Sequence, residues 1–130
     1  MTRRHRFPAR IRLSSMDAAK PIRIDDEAAL ESFLDDHDVA LVELYTEGCP
    51  KCQAMEPVLG NVARATDVAV GMVNPRDDPA LVDRFAVQSV PLLVLFEDGD
   101  ERARKAEGFQ GVDDVIAFLE EHVPSAVNES

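Results

Sequence analysis

Two cysteines, Cys49 and Cys52, stand two residues apart in the stretch "YTEGCPKCQAMEP" (Tyr45 to Pro57) of this 130-residue chain. Such a pair can ligate a metal, staple a loop or exchange disulfides. An all-cysteine zinc site needs two more thiolates, and the chain holds only 2 cysteines. A site with two histidines needs them closely spaced, whereas His5, His37 and His122 are scattered along the chain. As a structural disulfide the pair would close a very short loop and remove little chain entropy. Thiol–disulfide chemistry is the reading that uses the pair best, with an inert pair of thiols as its plain alternative.

The flanks support that chemistry. "VALVELY" (Val39 to Tyr45) is an almost unbroken run of β-formers, as in a strand buried on both faces. After the cysteines, Met55, Val58, Leu59 and Val62 recur at i, i+3, i+4 and i+7, one face of a helix. Pro50 then falls at the first helical position, where its missing N–H costs nothing. Free backbone N–H groups and the positive helix end face the Cys49 sulfur, and Lys51 adds a cation. These favour a thiolate, so Cys49 is expected to attack. Cys52, one turn inside the helix, is expected to resolve the mixed disulfide. Glu47 and Glu56 oppose the thiolate, more weakly because they are solvated.

The remaining elements must hold this strand–turn–helix in place. "PIRI" (Pro21 to Ile24) reads as a short strand, and "DDEAALESFLDDH" as a helix with Leu30, Phe33 and Leu34 inward. "VAVGMVN" (Val68 to Asn74) reads as a second buried strand and "DPALVDRFA" (Asp78 to Ala86) as a short helix with Pro79 near its start. "PLLVLFEDGDERARKAEG" reads as a hairpin turning at Asp98-Gly99. The last helix puts Val112, Val115, Ile116 and Leu119 on one face. The order β-α-β-α-β-α-β-β-α predicts an α/β fold with a central mixed sheet flanked by helices.

Length allows one domain, placed at residues 16–123, with residues 124–130 expected to be a flexible tail. The longest apolar run, Val90 to Phe96, is too short to span a membrane. The net charge of −11 argues against nucleic-acid binding. Charge is also segregated. Five of the 14 basic residues lie in residues 1–15, which carry no acid, leaving nine against all 25 acids and a balance of −16 from Met16 onward. Residues 1–15 are expected to be a disordered basic arm, or an upstream extension with Met16 as the start. No apolar segment follows Arg3-Arg4, so an export signal is not the reading. The acidic surface, with 11 arginines against 3 lysines, resembles proteins of salt-loving archaea; an acidic protein of a GC-rich mesophile is the alternative.

From about Pro21 to Val123 the chain resembles thioredoxins, and "VELYTEGCPKCQAMEP" is similar to that family's signature. The resemblance implies a thioredoxin-like fold, with Cys49 nucleophilic and Cys52 resolving. It places Pro57 on the proline that kinks the active-site helix and Glu43 where a buried aspartate usually shuttles a proton. It places Val90-Pro91 on the cis-proline that pairs with substrate chain and Gly108 on a glycine of the docking surface. Read without it, Glu43 is equally a solvated strand residue, Val90-Pro91 an ordinary trans bond and Gly108 a loop glycine. The chain departs from the family pattern at Gly48, where tryptophan is usual, and at Thr46. Between the cysteines stand Pro50 and Lys51, closer to glutaredoxins. The lysine that often neighbours the buried acid is replaced, with Met72 nearest its place.

The function expected is a cytoplasmic, monomeric protein-disulfide reductase needing no cofactor or metal, drawing electrons from a thioredoxin-reductase-type donor. Its substrate-binding residues are expected to be Gly48, Pro50, Lys51, Val90, Pro91 and Gly108. A glutaredoxin-like reductase dependent on a small thiol is the enzymatic alternative. A thioredoxin-fold adaptor with incidental cysteines is the alternative of another class.

Overall fold

The computed structural model describes residues 20–127, so the basic arm, residues 16–19 of the expected domain and the last three residues of the expected tail lie outside the described residues. In chain order the strands and helices are Ile22–Ile24 (β1), Glu27–Asp36 (α1), Val39–Leu44 (β2), Pro50–Ala65 (α2), Ala69–Val73 (β3), Pro79–Phe85 (α3), Leu92–Glu97 (β4), Asp100–Lys105 (β5), Val112–His122 (α4) and Pro124–Val127 (α5). The expected order is reproduced as far as α4, with a 3-10 turn at Pro75–Asp77 added before α3.

β2 is central, and apart from Glu43 its residues are apolar on both faces. The sheet runs β1-β3-β2-β4-β5, with β1, β3 and β2 parallel and β4 and β5 antiparallel. Alternation along the strands divides the core. Leu41, Met72 and Leu93 face α2 and α4 and pack with Met55, Leu59, Val115 and Leu119. Val42, Leu44 and Val94 face the other way, packing with Leu30, Phe33, Leu81 and Phe85 of α1 and α3. Gly71 lies on that second face. A Cβ there would come within 2.6 Å of Ile24 Cδ1 and 3.1 Å of Phe33 Cε2, so glycine is what lets α1 seat against the sheet.

Local chemistry ends the elements where the sequence marks them. The Asp26 carboxylate accepts the Ala29 N–H at 2.8 Å and caps α1. Asp78 caps α3 through Ala80 and also accepts the Glu27 N–H at 3.0 Å, tying the two helix starts together. Asp98 (φ 54°) and Gly99 (φ 86°) both take left-handed conformations, the pair of positive angles a tight hairpin requires.

Two expectations are corrected. Residues 124–127 are not a loose tail: they form a helical turn with Ala126 buried, and the Asp67 N–H donates to the Ala126 carbonyl at 3.0 Å. The apolar Val123 and Ala126 hold this turn against the α2–α4 face. On α4, burial centres on Val115, Phe118 and Leu119, while Val112 and Ile116 are only half-buried at its rim.

Candidate active site

The turn after β2 delivers the cysteines to the start of α2. Gly48 takes φ 75°, a left-handed conformation that a side chain would make costly by about 1–2 kcal/mol, and this is the physical reason for a glycine before the first cysteine. Cys49 is the N-cap of α2, with Pro50 at the first helical position. Its sulfur accepts the backbone N–H of Cys52 at 3.1 Å. The two cysteines are joined as a disulfide, with Cα atoms 5.2 Å apart. They are unequal in access: Cys49 is half-buried, whereas Cys52 is 2% exposed and lies on the inward stripe of α2 with Met55 and Leu59. On reduction the helix N-terminus presents an N–H and a positive dipole end to the sulfur it caps. Pro57 sits inside α2, as expected.

Glu43 is fully buried, which decides against a solvated strand residue. It occupies the β2 face that α2 covers, between Met72 of β3 and Leu93 of β4 in the register. Both carboxylate oxygens are buried without a hydrogen-bond partner in the protein. Burial among apolar groups, helped by the nearby Glu56 carboxylate and opposed by Arg23, pushes its pKa up to about 8. Met72, directly beside Glu43, supplies no cation, as the sequence suggested.

The other expected site residues divide by exposure, with Pro91 buried and Val90 half-buried. The Val90-Pro91 bond is cis. It precedes β4, whose first residue Leu92 pairs with Leu44 at the end of β2, so Pro91 lies at the sheet end from which the cysteine turn leaves. Pro50, Lys51 and Gly48 are exposed. Gly108 (φ 75°) faces Lys51: a Cβ there would stand 3.7 Å from the ammonium nitrogen. The Gln110 N–H donates to Met55 Sδ at 3.3 Å, pinning this loop to α2. Next to Gly108, Phe109 is 49% exposed, an apolar residue that sequence reasoning passed over. Arg23, exposed on edge strand β1, also escaped it. Arg23 bonds Tyr45 Oη at 2.9 Å and Glu56 Oε2 at 3.1 Å, bringing β1, β2 and α2 together above Glu43.

The thioredoxin family model matches residues 21–121, nearly all of the described fold. The chain belongs to the thioredoxin family. It is 34% identical over 85 residues to a thioredoxin of Chlamydia caviae, covering 65% of this chain and 82% of that protein. It is 27% identical to a thioredoxin of Mycobacterium tuberculosis over 115 residues, 87% of this chain and 98% of that one. Among solved structures, a mutant thioredoxin from Halobacterium salinarum superposes with a TM-score of 0.76 at 31% identity, covering 81% of this chain and 92% of that one. A thioredoxin fold, a cysteine pair capping α2 and thioredoxin relatives together make this chain a dithiol–disulfide oxidoreductase.

Proposed function

We propose that this thioredoxin-family protein reduces disulfides of other proteins, with Cys49 as nucleophile, Cys52 as resolving thiol and Glu43 as proton relay. The observation that carries the assignment of roles is the unequal exposure of two sulfurs at one helix start. The Cys49 thiolate attacks one sulfur of a client disulfide; a Cys49–client bond forms and the other client sulfur leaves as thiolate. Cys52 then loses its proton and attacks Cys49 Sγ, forming the intramolecular disulfide and expelling the second client thiolate. Two electrons have passed to the client, and a dithiol donor of the thioredoxin-reductase type must return them.

Cys52 is buried, so its proton needs an acceptor inside the protein. Glu43 lies on the covering face and, with a pKa of about 8, is about one-tenth ionised at pH 7 and half ionised at pH 8. A base poised near the working pH is the one general base catalysis favours. The client backbone lies against Val90-Pro91, Gly108, Gly48 and Pro50, beside the Lys51 cation. A cytosol suits a dithiol that must be kept reduced, and no helix among the described residues is long and apolar enough to cross a membrane.

The test is reduction of insulin disulfides at low and at molar salt. Turnover with thioredoxin reductase as donor supports the reading. Turnover only with glutathione and its reductase would make the protein glutaredoxin-like, and no turnover with either would leave an adaptor.

A further inference from the structure

The row of residues crossing the sheet at Glu43 runs Arg23 (β1), Met72 (β3), Glu43 (β2), Leu93 (β4) and Lys105 (β5). Two cations thus end one row, with a buried carboxyl in the middle and an apolar side chain on either side of it. The two ends differ. The Lys105 ammonium is drawn away, 3.6 Å from Glu107 and 5.9 Å from the centre of the Phe118 ring. Arg23 instead reaches back over Met72 to the β2–α2 seam, where its guanidinium bonds Tyr45 Oη and Glu56 Oε2 and lies 5.5 Å from the Tyr45 ring centre. Tyr45 is two residues after Glu43, just past the end of β2, and Glu56 is one turn after Cys52 on α2. The ion pair therefore joins the sheet edge to the helix that covers Glu43, and both of its charges act on that carboxyl.

We propose that the Arg23–Glu56 pair is a positioning device for the proton of Glu43, in which Arg23 takes the place of a lysine adjacent to the acid and Glu56 restrains it. Adjacent strands lie about 4.8 Å apart, so Arg23 starts roughly 10 Å from Glu43 and acts only because its side chain is long and held by two partners. With Glu56 in place, the cation is half-neutralised and Glu43 keeps its proton to higher pH. Without Glu56, the same cation faces Glu43 alone. Both members of the pair are exposed, at 57% and 45%, so solvent screens them and each acts by a fraction of a unit to about one unit of pH. The charged groups that act on Glu43 are Glu56 on α2 and Arg23 on β1, while Lys105 stands at the other end of the row, beyond Leu93.

The inference builds on the relay reading of Glu43, but its test is separate. In the oxidised protein neither cysteine titrates, so the Glu43 carboxyl carbon can be followed by NMR from pH 5 to 10. Arg23→Gln is expected to raise the Glu43 midpoint by about 0.5 or more, since it removes the attraction and leaves Glu56 uncompensated. Glu56→Gln is expected to lower it by a similar amount, and Arg23→Lys to fall between Arg23→Gln and wild type, because the charge is kept while the forked grip on Tyr45 and Glu56 is not. Opposite signs are the signature that a merely structural contact would not give. Shifts of the same sign, or none above about 0.1, would overturn the proposal. In the reduced protein, the pH profile of mixed-disulfide resolution should move with the NMR midpoint in each variant. Midpoints that move apart while the profiles stay fixed support the ion pair and overturn the relay.

Discussion

Glu43→Gln should remove a pH dependence that burial of this carboxyl imposes on the whole fold. The folded pKa is about 8 against 4.5 for the exposed group. The native state therefore holds a proton that the unfolded chain releases first. Stability contributed by the neutral acid is fully present below about pH 4.5, is lost as pH rises through the window to 8, and levels off above it. At about 1.4 kcal/mol per pH unit the full window amounts to on the order of 5 kcal/mol; relaxation and water entry around the ionised carboxylate reduce the expected loss to about 3–5 kcal/mol. Glutamine keeps the shape and cannot ionise. Guanidinium unfolding of the oxidised wild type and variant at pH 5, 7 and 9 isolates the effect, because all other titrations cancel in the difference. The two proteins should differ by about 1 kcal/mol or less at pH 5, and the wild type should lose about 3 kcal/mol or more relative to the variant by pH 9. A difference constant to within about 0.5 kcal/mol across that range would refute a buried, neutral Glu43. The same substitution should slow resolution of the mixed disulfide above neutral pH while leaving the first attack by Cys49 nearly intact.

Molar KCl should raise the melting temperature relative to roughly 0.1 M salt, because screening relieves repulsion among the acids that dominate from Met16 onward; an unchanged or lowered value would count against the halophile-like reading. Gly71→Ala should lower the melting temperature by several degrees, since its methyl must displace Ile24 and Phe33 at a cost of about 1–2 kcal/mol; an unchanged value would show that α1 seats without this close approach. Phe109→Ala should raise KM for insulin about 3- to 10-fold with little change toward a small dithionitrobenzoate disulfide, because half of this ring is free to bury against a client chain. Equal effects on both substrates would remove Phe109 from the docking surface.

The elements that position the cysteines were legible because each carries a strong local signal. β2 shows as a continuous β-forming run, α2 as an apolar face opening on Pro50, and the hairpin as Asp98-Gly99. Glu43 was harder: as the one charged residue of that run it reads equally as solvated or buried, and only the closure of α2 over that face decides between them. The cis bond before Pro91 followed from resemblance, since nothing local distinguishes it from a trans strand start. Arg23 could not be read at all. It sits between Ile22 and Ile24 in a three-residue strand, and its meeting with Glu56 and Tyr45 depends on β1 pairing with β3 rather than with its neighbour in sequence. The helical turn at Pro124–Val127 was missed because four residues carry no periodicity, and it is contacts with the α2–α4 face and with Asp67 that fix it.

The most direct measurement of the account is trapping. Cys52→Ser and Cys49→Ser, each reduced and mixed with insulin, are separated without reductant and the linkages mapped by mass spectrometry. A stable mixed disulfide through Cys49 is expected in Cys52→Ser, because attack survives and resolution does not, and essentially none in Cys49→Ser, whose remaining cysteine is buried. Equal trapping by both variants, or adducts carried by Cys52, would contradict the assignment of the nucleophile and with it the proposed mechanism.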